Sequence, residues 1–511
     1  MMLLHALFAR SVRRTPDKVA LVCDGQRLSF RELDERSRDI AQHLHRQGLG
    51  AGDRVALLLD NGVEMVVALW AVLRAGAVCM PFNPQTKAEK LAALMQRTEA
   101  RVLLTQSSLA RVWRAAQQEG GAQPHVWVHG AGWTPATSGE HAWPDTAAAA
   151  SPSPWRDAVV DEDALALISH TSGTTGLPKG VMLSHRNLAS ITACIAGYLP
   201  IREDDVLFSA LPLSFNYGLS QLLLALSTGA TLVLEKSFAF PAQALDVMSR
   251  ERATVFPAVP TMYAMLLGMQ DLSRWDLSSL RLMTSASAPL PVAMQRQLRE
   301  RMPFARLCVM YGQTECTRIS YLPPEQVAAR PGSVGRGLAG QRCWLIDEQG
   351  HRLPWGAEGE LVVQGDHVMA GYWQDPQRTA EKLFHDPETG RIAMRTGDLF
   401  RSDTDGWLYF IARKDDIIKT RGEKVSPHEV EQAIQRMPGV IECLVGPVPD
   451  PLLGDAVKAW VVVADGSGLV ERDVIRHCLA TLENHMVPKH VAFVDALPRT
   501  PTGKPTRQGL T

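Results

Sequence analysis

The residues best suited to chemistry in this chain form a loop rich in hydroxyl groups and glycine, HTSGTTGLPKG, at positions 170–180. Successive backbone N–H groups, several hydroxyls and one ammonium group can wrap a polyphosphate. The loop lacks the Walker order, because Leu177 and Pro178 separate Gly176 from Lys179 and a glycine follows the lysine. The residue types favour a phosphate-binding loop of another kind, and an ordinary surface loop is the alternative.

Four further stretches follow this loop along the chain. They are YGQTE at 311–315, RTGDL at 395–399, RKDDIIKTRG at 413–422 and PRTPTGK at 498–504. Together with the loop, they resemble the motifs of the adenylate-forming superfamily, which includes acyl-CoA synthetases, the adenylation domains of peptide synthetases and beetle luciferases. The resemblance runs from about Thr15 to Lys504. Five motifs in the family's order are far more specific than any one of them.

The resemblance implies that the loop grips the β- and γ-phosphates of ATP. The residues assigned to ATP in this way are Thr171, Ser172, Gly173, Thr174, Thr175, Gly176 and Lys179, with the hydroxyls of Ser172, Thr174 and Thr175 as ligands. His170 stands where tyrosine is common in the family. This departure affects the packing of the loop, and no chemistry in the family requires the tyrosine.

The remaining contacts to ATP are carried over from the family in the same way. Tyr311 would stack on the adenine, Gly312 would belong to the same nucleotide site, Thr314 would hydrogen-bond the α-phosphate, Glu315 would hold Mg²⁺, and Asp398 and Arg413 would bind the ribose. A carboxylate suits Mg²⁺, which prefers oxygen ligands. Taken singly, a tyrosine is more often a core residue and an aspartate after glycine a turn residue. The assignment therefore depends on all of these residues occurring in register.

The implied reaction brings two anions together, because a carboxylate attacks the α-phosphorus of ATP. The site must neutralise charge and align the attacking group with the leaving group. Mg²⁺ and Lys504, which resembles the family's adenylation lysine, would do so. The acyl-AMP product is a mixed anhydride ready for attack by a thiol. A second half-reaction is therefore expected.

In the family, the second step requires a small carboxyl-terminal domain to swing about a hinge. The hinge residue would be Asp415, where alanine replaces the usual glycine ahead of the arginine in the motif Ala412-Arg-Lys-Asp. The loop that reaches the site for the thiol step would contain Lys419, Arg421 and Gly422. A helix N-cap is a second expected role of Asp415 and Asp416.

The acceptor thiol is expected to belong to CoA or to the phosphopantetheine of a separate carrier protein. The chain ends seven residues after Lys504, so we expect no fused carrier domain. The stretch GEKVSPHEVE resembles freestanding acyl-CoA synthetases more closely than modular peptide synthetases, which favours CoA.

The acid is expected to lack an amino group, and the alternative is an amino acid loaded onto a separate carrier protein. Asn216, in the stretch LPLSFNYG, stands where members that activate amino acids usually carry aspartate, because a buried ammonium needs a carboxylate partner. The substrate-binding residues assigned by resemblance are Phe215, Asn216, Tyr217, Ser285 and Ser287, and Ala286 and Ala288 add further small side chains. These residues leave an aryl acid and a medium acyl chain equally open.

Two other classes of function remain as alternatives to adenylation. A phosphotransferase would release ADP, but the Walker order is missing. A nucleotide-binding protein without activity would be expected to have lost Lys504, Glu315 or Asp398, and all three are present.

Composition limits the partners and the cellular compartment that we expect for this protein. The net charge of -1 over 511 residues offers no field for nucleic acid or anionic lipid. The eight cysteines are far apart and form no C-x-x-C pair, which favours a reducing cytoplasm over disulfides or zinc.

The amino terminus reads as an amphipathic helix and lacks the features of a signal peptide. The apolar stretch 65–80 is too short and too interrupted to span a membrane, and is predicted to be a buried helix followed by a strand.

The elements that must position these residues follow an α/β pattern. Apolar strand-like runs, such as those at 55–59, 101–104 and 164–168, alternate with segments of helical period. The prediction is a large domain, residues 1–413, with two doubly wound αβ subdomains and a small β-barrel that together hold the ATP and acid sites. A smaller, mobile α+β domain, residues 414–511, carries Lys504. The polar stretch between Ala115 and Val160 is expected to connect two αβ units over the surface.

Overall fold

A computed structural model describes residues 3–120, 123–144, 155–171, 178–420, 423–450, 454–500 and 503–510. The first elements in chain order are α1 (Leu4–Arg14), β1 (Val19–Cys23), β2 (Gln26–Ser29), α2 (Phe30–Arg46), β3 (Arg54–Leu58), α3 (Val63–Arg74), β4 (Val78–Pro81), α4 (Ala88–Arg97), β5 (Val102–Gln106), α5 (Ala110–Gln118), β6 (His125–His129) and β7 (Glu140–Ala142). The predicted amphipathic first helix is α1. The predicted buried helix and strand are α3 and β4.

The next segment alternates strands and helices. It contains β8 (Leu165–Thr171), β9 (Lys179–Ser184), α6 (His185–Tyr198), β10 (Val206–Ser209), α7 (Asn216–Thr228), β11 (Thr231–Leu234), α8 (Pro241–Arg250), β12 (Val255–Ala258), α9 (Pro260–Leu267), β13 (Leu282–Ser285), α10 (Val292–Arg301) and β14 (Arg306–Tyr311). The strands β10 to β14 lie side by side and parallel. Parallel strands joined by helices are the arrangement that the alternating pattern predicts.

The chain then becomes mostly antiparallel. Its elements are β15 (Ser320–Leu322), β16 (Ser333–Gly337), β17 (Arg342–Ile346), β18 (Arg352–Leu353), β19 (Glu358–Gln364), β20 (Gly371–Tyr372), α11 (Pro376–Lys382), β21 (Leu383–His385), β22 (Ile392–Ser402) and β23 (Leu408–Arg413). The region predicted to be a small β-barrel is hydrogen-bonded to the parallel sheet through β15 and β16. The two regions therefore share one strand order, β18-β17-β19-β22-β23-β16-β15-β14-β13-β12-β10-β11-β1-β2.

A second sheet has eight strands in the order β20-β9-β8-β4-β3-β5-β6-β7. The core between the sheets is apolar, and every residue of α3 apart from Glu64 is buried, including Trp70 at 1% exposure. Burial on all sides explains why α3 is almost uniformly apolar instead of amphipathic. Its one buried charge, Arg74, is paired with Asp34 and Asp157.

The prediction that residues 115–160 connect two units over the surface is wrong for part of this stretch. Strand β6 pairs in parallel with β5 along its whole length, and β7 pairs with β6. Val126, Trp127 and Val128 are buried. The Gly- and Pro-rich flanks made this short strand hard to recognise in the sequence. Its burial depends on pairing with another segment of the chain, which its own residue pattern does not reveal.

The carboxyl-terminal elements form a separate sheet. They are β24 (Ile418–Thr420), β25 (Glu423–Val425), α12 (Pro427–Gln435), β26 (Val440–Asp450), β27 (Gly454–Val463), α13 (Glu471–Thr481) and β28 (His490–Phe493). The strand order is β25-β24-β27-β26, with β28 alongside β27. Helices α12 and α13 contribute to an apolar cluster of this region's own residues. The chain thus has a large amino-terminal α/β part and a smaller α+β part.

Candidate active site

The proposed phosphate loop joins two antiparallel strands. Thr171 at the end of β8 pairs with Lys179 at the start of β9, so these two residues mark the base of the loop. The predictions for Ser172, Gly173, Thr174, Thr175 and Gly176 lie outside the described residues. The ammonium of Lys179 lies 5.6 Å from the ring centroid of Tyr372, within range of a cation–π contact.

His170 packs just before the loop, where its ring centroid lies 5.1 Å from that of Phe82. Burial, with smaller contributions from Arg97 and Lys90, lowers the pKa of His170 to about 4. The imidazole is therefore neutral at physiological pH. In this position it acts as an aromatic packing group, which is compatible with tyrosine being common there.

The predicted adenine and ribose residues are brought into direct contact. The Tyr311 hydroxyl donates to Asp398 Oδ2 at 2.6 Å, and the Gln313 amide donates to the same oxygen at 2.8 Å. Arg413 faces Asp398 across the β22–β23 pair, with 3.8 Å between Nε and Oδ1. Desolvation raises the pKa of Asp398, and the charge of Arg413 opposes this rise. The carboxylate is thus held on one oxygen and faces the arginine with the other.

A tight turn follows Tyr311 and presents Thr314 and Glu315. A Cβ atom on Gly312 would lie 2.3 Å from the carbonyl oxygen of Thr317, so only glycine fits at this position. Thr317 itself has a φ of 61°, a conformation that threonine rarely adopts. Non-glycine residues in this region are strained and cluster at functional sites. The close approach of Gly312 to the Thr317 carbonyl therefore determines the backbone conformation of the turn.

Glu315 links the turn to the base of the phosphate loop. Its Oε1 accepts a hydrogen bond from the Tyr372 hydroxyl at 2.7 Å, and Tyr372 is the residue beneath the ammonium of Lys179. The pairing of β20 with β9 places Tyr372 opposite Val181. Glu315 and Lys179 therefore both contact Tyr372, Glu315 at the hydroxyl and Lys179 at a face of the ring.

Lys504 comes from the carboxyl-terminal part and reaches this same site. Its ammonium lies 5.8 Å from the ring centroid of Phe215. Burial lowers the pKa of Lys504 to about 8, with the charge of Arg413 acting in the same direction and Asp398 and Glu315 opposing it. The adenylation lysine predicted from sequence is thus close to predicted ATP-binding and acid-binding residues.

The predicted acid-binding residues lie at the start of α7 and at the end of β13. The Asn216 amide nitrogen donates to the Thr317 hydroxyl at 3.3 Å, and the Tyr217 hydroxyl lies 2.7 Å from that of Thr284. The Asn216 amide oxygen and the Ser285 hydroxyl are buried and have no hydrogen-bond partner in the described structure. Ser287 is half-buried, with a φ of 77°. The helix start therefore bridges β13 and the turn after β14.

The predicted hinge lies on the surface between the two parts of the chain. Asp415 is exposed within a short 3₁₀ helix, Lys414–Asp416, and its neighbour Asp416 pairs with Arg507 at 2.6 Å. The predicted N-cap role is not seen, because no α-helix begins at this pair. Of the predicted thiol-step residues, Lys419 lies in β24 and its side chain is outside the described set, as are Arg421 and Gly422.

Three residues of the site were missed by sequence analysis. Gln313 and Tyr372 hold Asp398 and Glu315. Arg318 is buried, with its guanidinium carbon 5.2 Å from the ring centroid of Tyr217. The signal available for Gln313 and Arg318 was their position within or next to YGQTE, whereas Tyr372 is far from the motif that it supports.

Comparison with known proteins defines the class to which this fold and site belong. Residues 8–373 match the model of the AMP-binding enzyme family, and residues 429–504 match that of the AMP-binding enzyme carboxyl-terminal domain. The chain belongs to this family of enzymes. The family resemblance and the α/β fold predicted from sequence are confirmed.

Particular relatives include several acid–CoA ligases. The sulfoacetate–CoA ligase of Cupriavidus necator is 32% identical, over 99% of this chain and 97% of its own. ATP-bound MatB from Rhodopseudomonas palustris is 33% identical, over 100% of this chain and 98% of its own, with a TM-score of 0.89. An anthranilate CoA ligase in complex with anthranoyl-AMP is 27% identical, over 99% and 96% of the two chains, with a TM-score of 0.90.

The described residues include no helix that is both long enough and apolar enough to cross a bilayer. This agrees with the interpretation of residues 65–80 as a buried helix and strand.

Proposed function

We propose that this enzyme activates a non-amino carboxylic acid with ATP, releases pyrophosphate, and transfers the acyl group from acyl-AMP to the thiol of CoA. The observation that carries the proposal is the position of Lys504. This lysine reaches out of the carboxyl-terminal part to lie against Phe215 and within the electrostatic reach of Asp398 and Glu315. The names of the acid–CoA ligases among its relatives support the choice of CoA.

In the first step, a carboxylate oxygen of the acid bonds to the α-phosphorus while the bond to pyrophosphate breaks. The ammonium of Lys504 would stabilise negative charge on the attacking carboxylate and the phosphate, and Thr314 would donate to the α-phosphate. Preorganised donors of this kind act strongly in a site from which water is excluded. Tyr311, Asp398 and Arg413 would fix the nucleoside, and Thr171 and Lys179 would contact the outer phosphates.

Mg²⁺ would be held by Glu315. The carboxylate is oriented by one hydrogen bond from Tyr372, at Oε1, which leaves its other oxygen for a ligand. No cluster of three or more potential metal ligands occurs among the described residues. A single carboxylate nevertheless fits Mg²⁺, which is commonly bound through one or two carboxylates together with substrate phosphates. When bound, the ion would supply positive charge at the phosphates.

In the second step, the thiol attacks the acyl carbonyl and AMP leaves with the electron pair of the anhydride bond. We propose a domain boundary between Arg413 and Lys414, with Asp415 as the hinge. Contacts across this boundary include the Ser426 hydroxyl with the Ile411 carbonyl at 2.7 Å. They would break during rotation, whereas the pair of Asp416 and Arg507 would move as one unit.

We further propose that the enzyme works in the cytoplasm. All eight cysteines are free and six of them are buried. Reduced cysteines are typical of that compartment.

The test is acid-dependent exchange of labelled pyrophosphate into ATP across a panel of acids, followed by thioester assays with CoA and with a carrier protein. We expect AMP and pyrophosphate in equal amounts, and a thioester with CoA. Formation of ADP in step with product would refute adenylation. Thioester formation with the carrier protein alone would leave adenylation standing and reassign the acceptor.

A further inference from the structure

The side chain of a buried arginine beside the predicted acid-binding residues has neither a hydrogen-bond acceptor nor a counter-charge among the described residues. Arg318 is 3% exposed, and its Nε is a buried nitrogen without a hydrogen-bond partner. Among the described residues, no carboxylate forms an ion pair with its guanidinium. Buried charges are normally paired, because moving a charge out of water costs free energy. An unpaired guanidinium in this position therefore indicates a partner that the folded chain does not supply.

The surroundings of Arg318 place it among the predicted acid-binding residues. Its guanidinium lies over the ring of Tyr217, in the first turn of α7, and the Tyr217 hydroxyl is bonded to Thr284 at the end of β13. The residue before it, Thr317, accepts a hydrogen bond from Asn216. The same three segments that enclose the predicted acid-binding residues thus enclose Arg318.

Arg318 and Lys504 have different neighbours among the described residues. Lys504 lies against Phe215, and the charges that act on it are those of Arg413, Asp398 and Glu315. Burial raises the pKa of Tyr217 and of Tyr198, and the positive charge of Arg318 opposes that rise at both residues. The two cations therefore act on different residues, since Lys504 lies over Phe215 and Arg318 lies over Tyr217.

We propose that Arg318 binds a second anionic group of the substrate, so that the activated acid carries a distal carboxylate or sulfonate. A guanidinium presents paired N–H donors that match either group, and such bidentate pairs are strong and directional. The Ser285 hydroxyl, at the end of β13, is likewise buried without a hydrogen-bond partner among the described residues. This inference rests on the proposed function and names its substrate class. The same positive charge repels an α-ammonium, in keeping with a non-amino acid.

The experiment compares acids that differ in the distal group alone. Initial rates of pyrophosphate exchange are measured for butyrate and succinate, hexanoate and adipate, and benzoate and terephthalate, with 3-sulfopropionate as the sulfonate counterpart of succinate. We expect kcat/KM for the dianionic member of at least one pair to exceed that of its partner about 10-fold or more, because a site built for a polar group rejects analogues that lack it.

The variants Arg318→Gln and Arg318→Lys separate recognition from packing. For the preferred dianionic acid, Arg318→Gln is expected to lower kcat/KM by about 100-fold, mostly through KM, since a desolvated charge pair is lost. The monoanionic partner should be affected much less. Arg318→Lys keeps the charge and should retain part of the preference.

Three results would overturn the inference. Preference for the monoanion in every pair would refute it and leave adenylation intact. An equal loss for both members of a pair in Arg318→Gln would assign the arginine to packing against Tyr217. Absence of exchange with every acid would refute the proposed function and this inference with it. If Arg318→Gln does not fold, the inference is tested by whether the wild-type enzyme prefers the dianionic or the monoanionic acid of each pair.

Discussion

The hydroxyl of Tyr311 donates a hydrogen bond to Asp398 Oδ2 at 2.6 Å, which ties the end of β14 to β22. One residue is predicted to stack on adenine and the other to accept from the ribose. Their direct bond joins the residue predicted to bind the base and the residue predicted to bind the sugar into one unit. The unit is completed by Gln313, which donates to the same oxygen.

Tyr311→Phe tests this unit. The ring is kept for stacking, but Asp398 loses one of its two donors, and hydrogen bonds to charged groups contribute about 1.5–3 kcal/mol. We expect KM for ATP to rise about 10-fold in the exchange assay, with a smaller change in kcat. Asp398→Ala, which removes the ribose acceptor itself, should raise KM more. Equal effects of both changes on kcat alone would contradict a binding role.

Lys504→Ala should separate the two half-reactions. In the proposed mechanism the ammonium acts at the charge that develops during adenylation, so its loss should slow acyl-AMP formation on the order of 100- to 1,000-fold, or ~3–4 kcal/mol. Thioester formation from supplied acyl-AMP should survive. Rapid-quench measurement of each half-reaction checks this, and equal slowing of both would make the lysine structural.

Asp415→Pro should give the opposite pattern. Proline would fix φ at the proposed hinge residue, which should block the proposed rotation and leave the adenylation arrangement accessible. We therefore expect near-normal pyrophosphate exchange and a strongly reduced rate of thioester formation. Asp415→Ala, which keeps φ free, is the matched control and should perform both steps.

The pH dependence of adenylation should report the buried lysine. The pKa of Lys504 is lowered to about 8, so the side chain is charged below that pH and neutral above it. If the charged form is the active one, kcat/KM for exchange, which reports the free enzyme, falls as pH rises through about 8. Lys504→Arg stays charged over this range and should lose the basic limb. A basic limb that persists unchanged in Lys504→Arg would assign it to another group.

Asn216→Asp should penalise non-amino acids. The side chain at 216 is 8% exposed, so a new carboxylate would be unpaired or would compete for Arg318. Either outcome should lower kcat/KM for these acids about 10-fold or more, because an uncompensated buried charge is costly. Asn216→Ala removes the amide without adding charge and serves as the control. An α-amino acid as the best wild-type substrate would contradict the premise.

Gly312→Ala should destabilise the turn that carries Thr314 and Glu315. The added methyl would meet the Thr317 carbonyl at 2.3 Å, so backbone must move, and overpacking of this kind costs about 1–3 kcal/mol. At Gly197 in α6 an added methyl meets no described atom within 4 Å apart from its own helix backbone, so Gly197→Ala should instead stabilise by about 0.5–1 kcal/mol through helix propensity. Thermal unfolding of both variants, with exchange activity, measures the contrast.

The sequence by itself determined the family, the α/β class and most of the chemistry. The five motifs are short and continuous, so their residue types can be read without knowing what they contact. The buried helix α3 and strand β4 were also predictable, because a run of apolar residues records burial directly.

Tertiary structure decided the relationships between distant segments. The strand β6 joins the sheet because β5 offers it a partner, and Lys504 meets Phe215 because the carboxyl-terminal part packs over the larger one. Arg318 is the clearest case, since a charged residue in the sequence is normally taken to face solvent. Only the packing of α7, β13 and the turn after β14 shows that this arginine is buried with no counter-charge from the part of the chain that the structure describes, because ion pairing depends on a residue's surroundings.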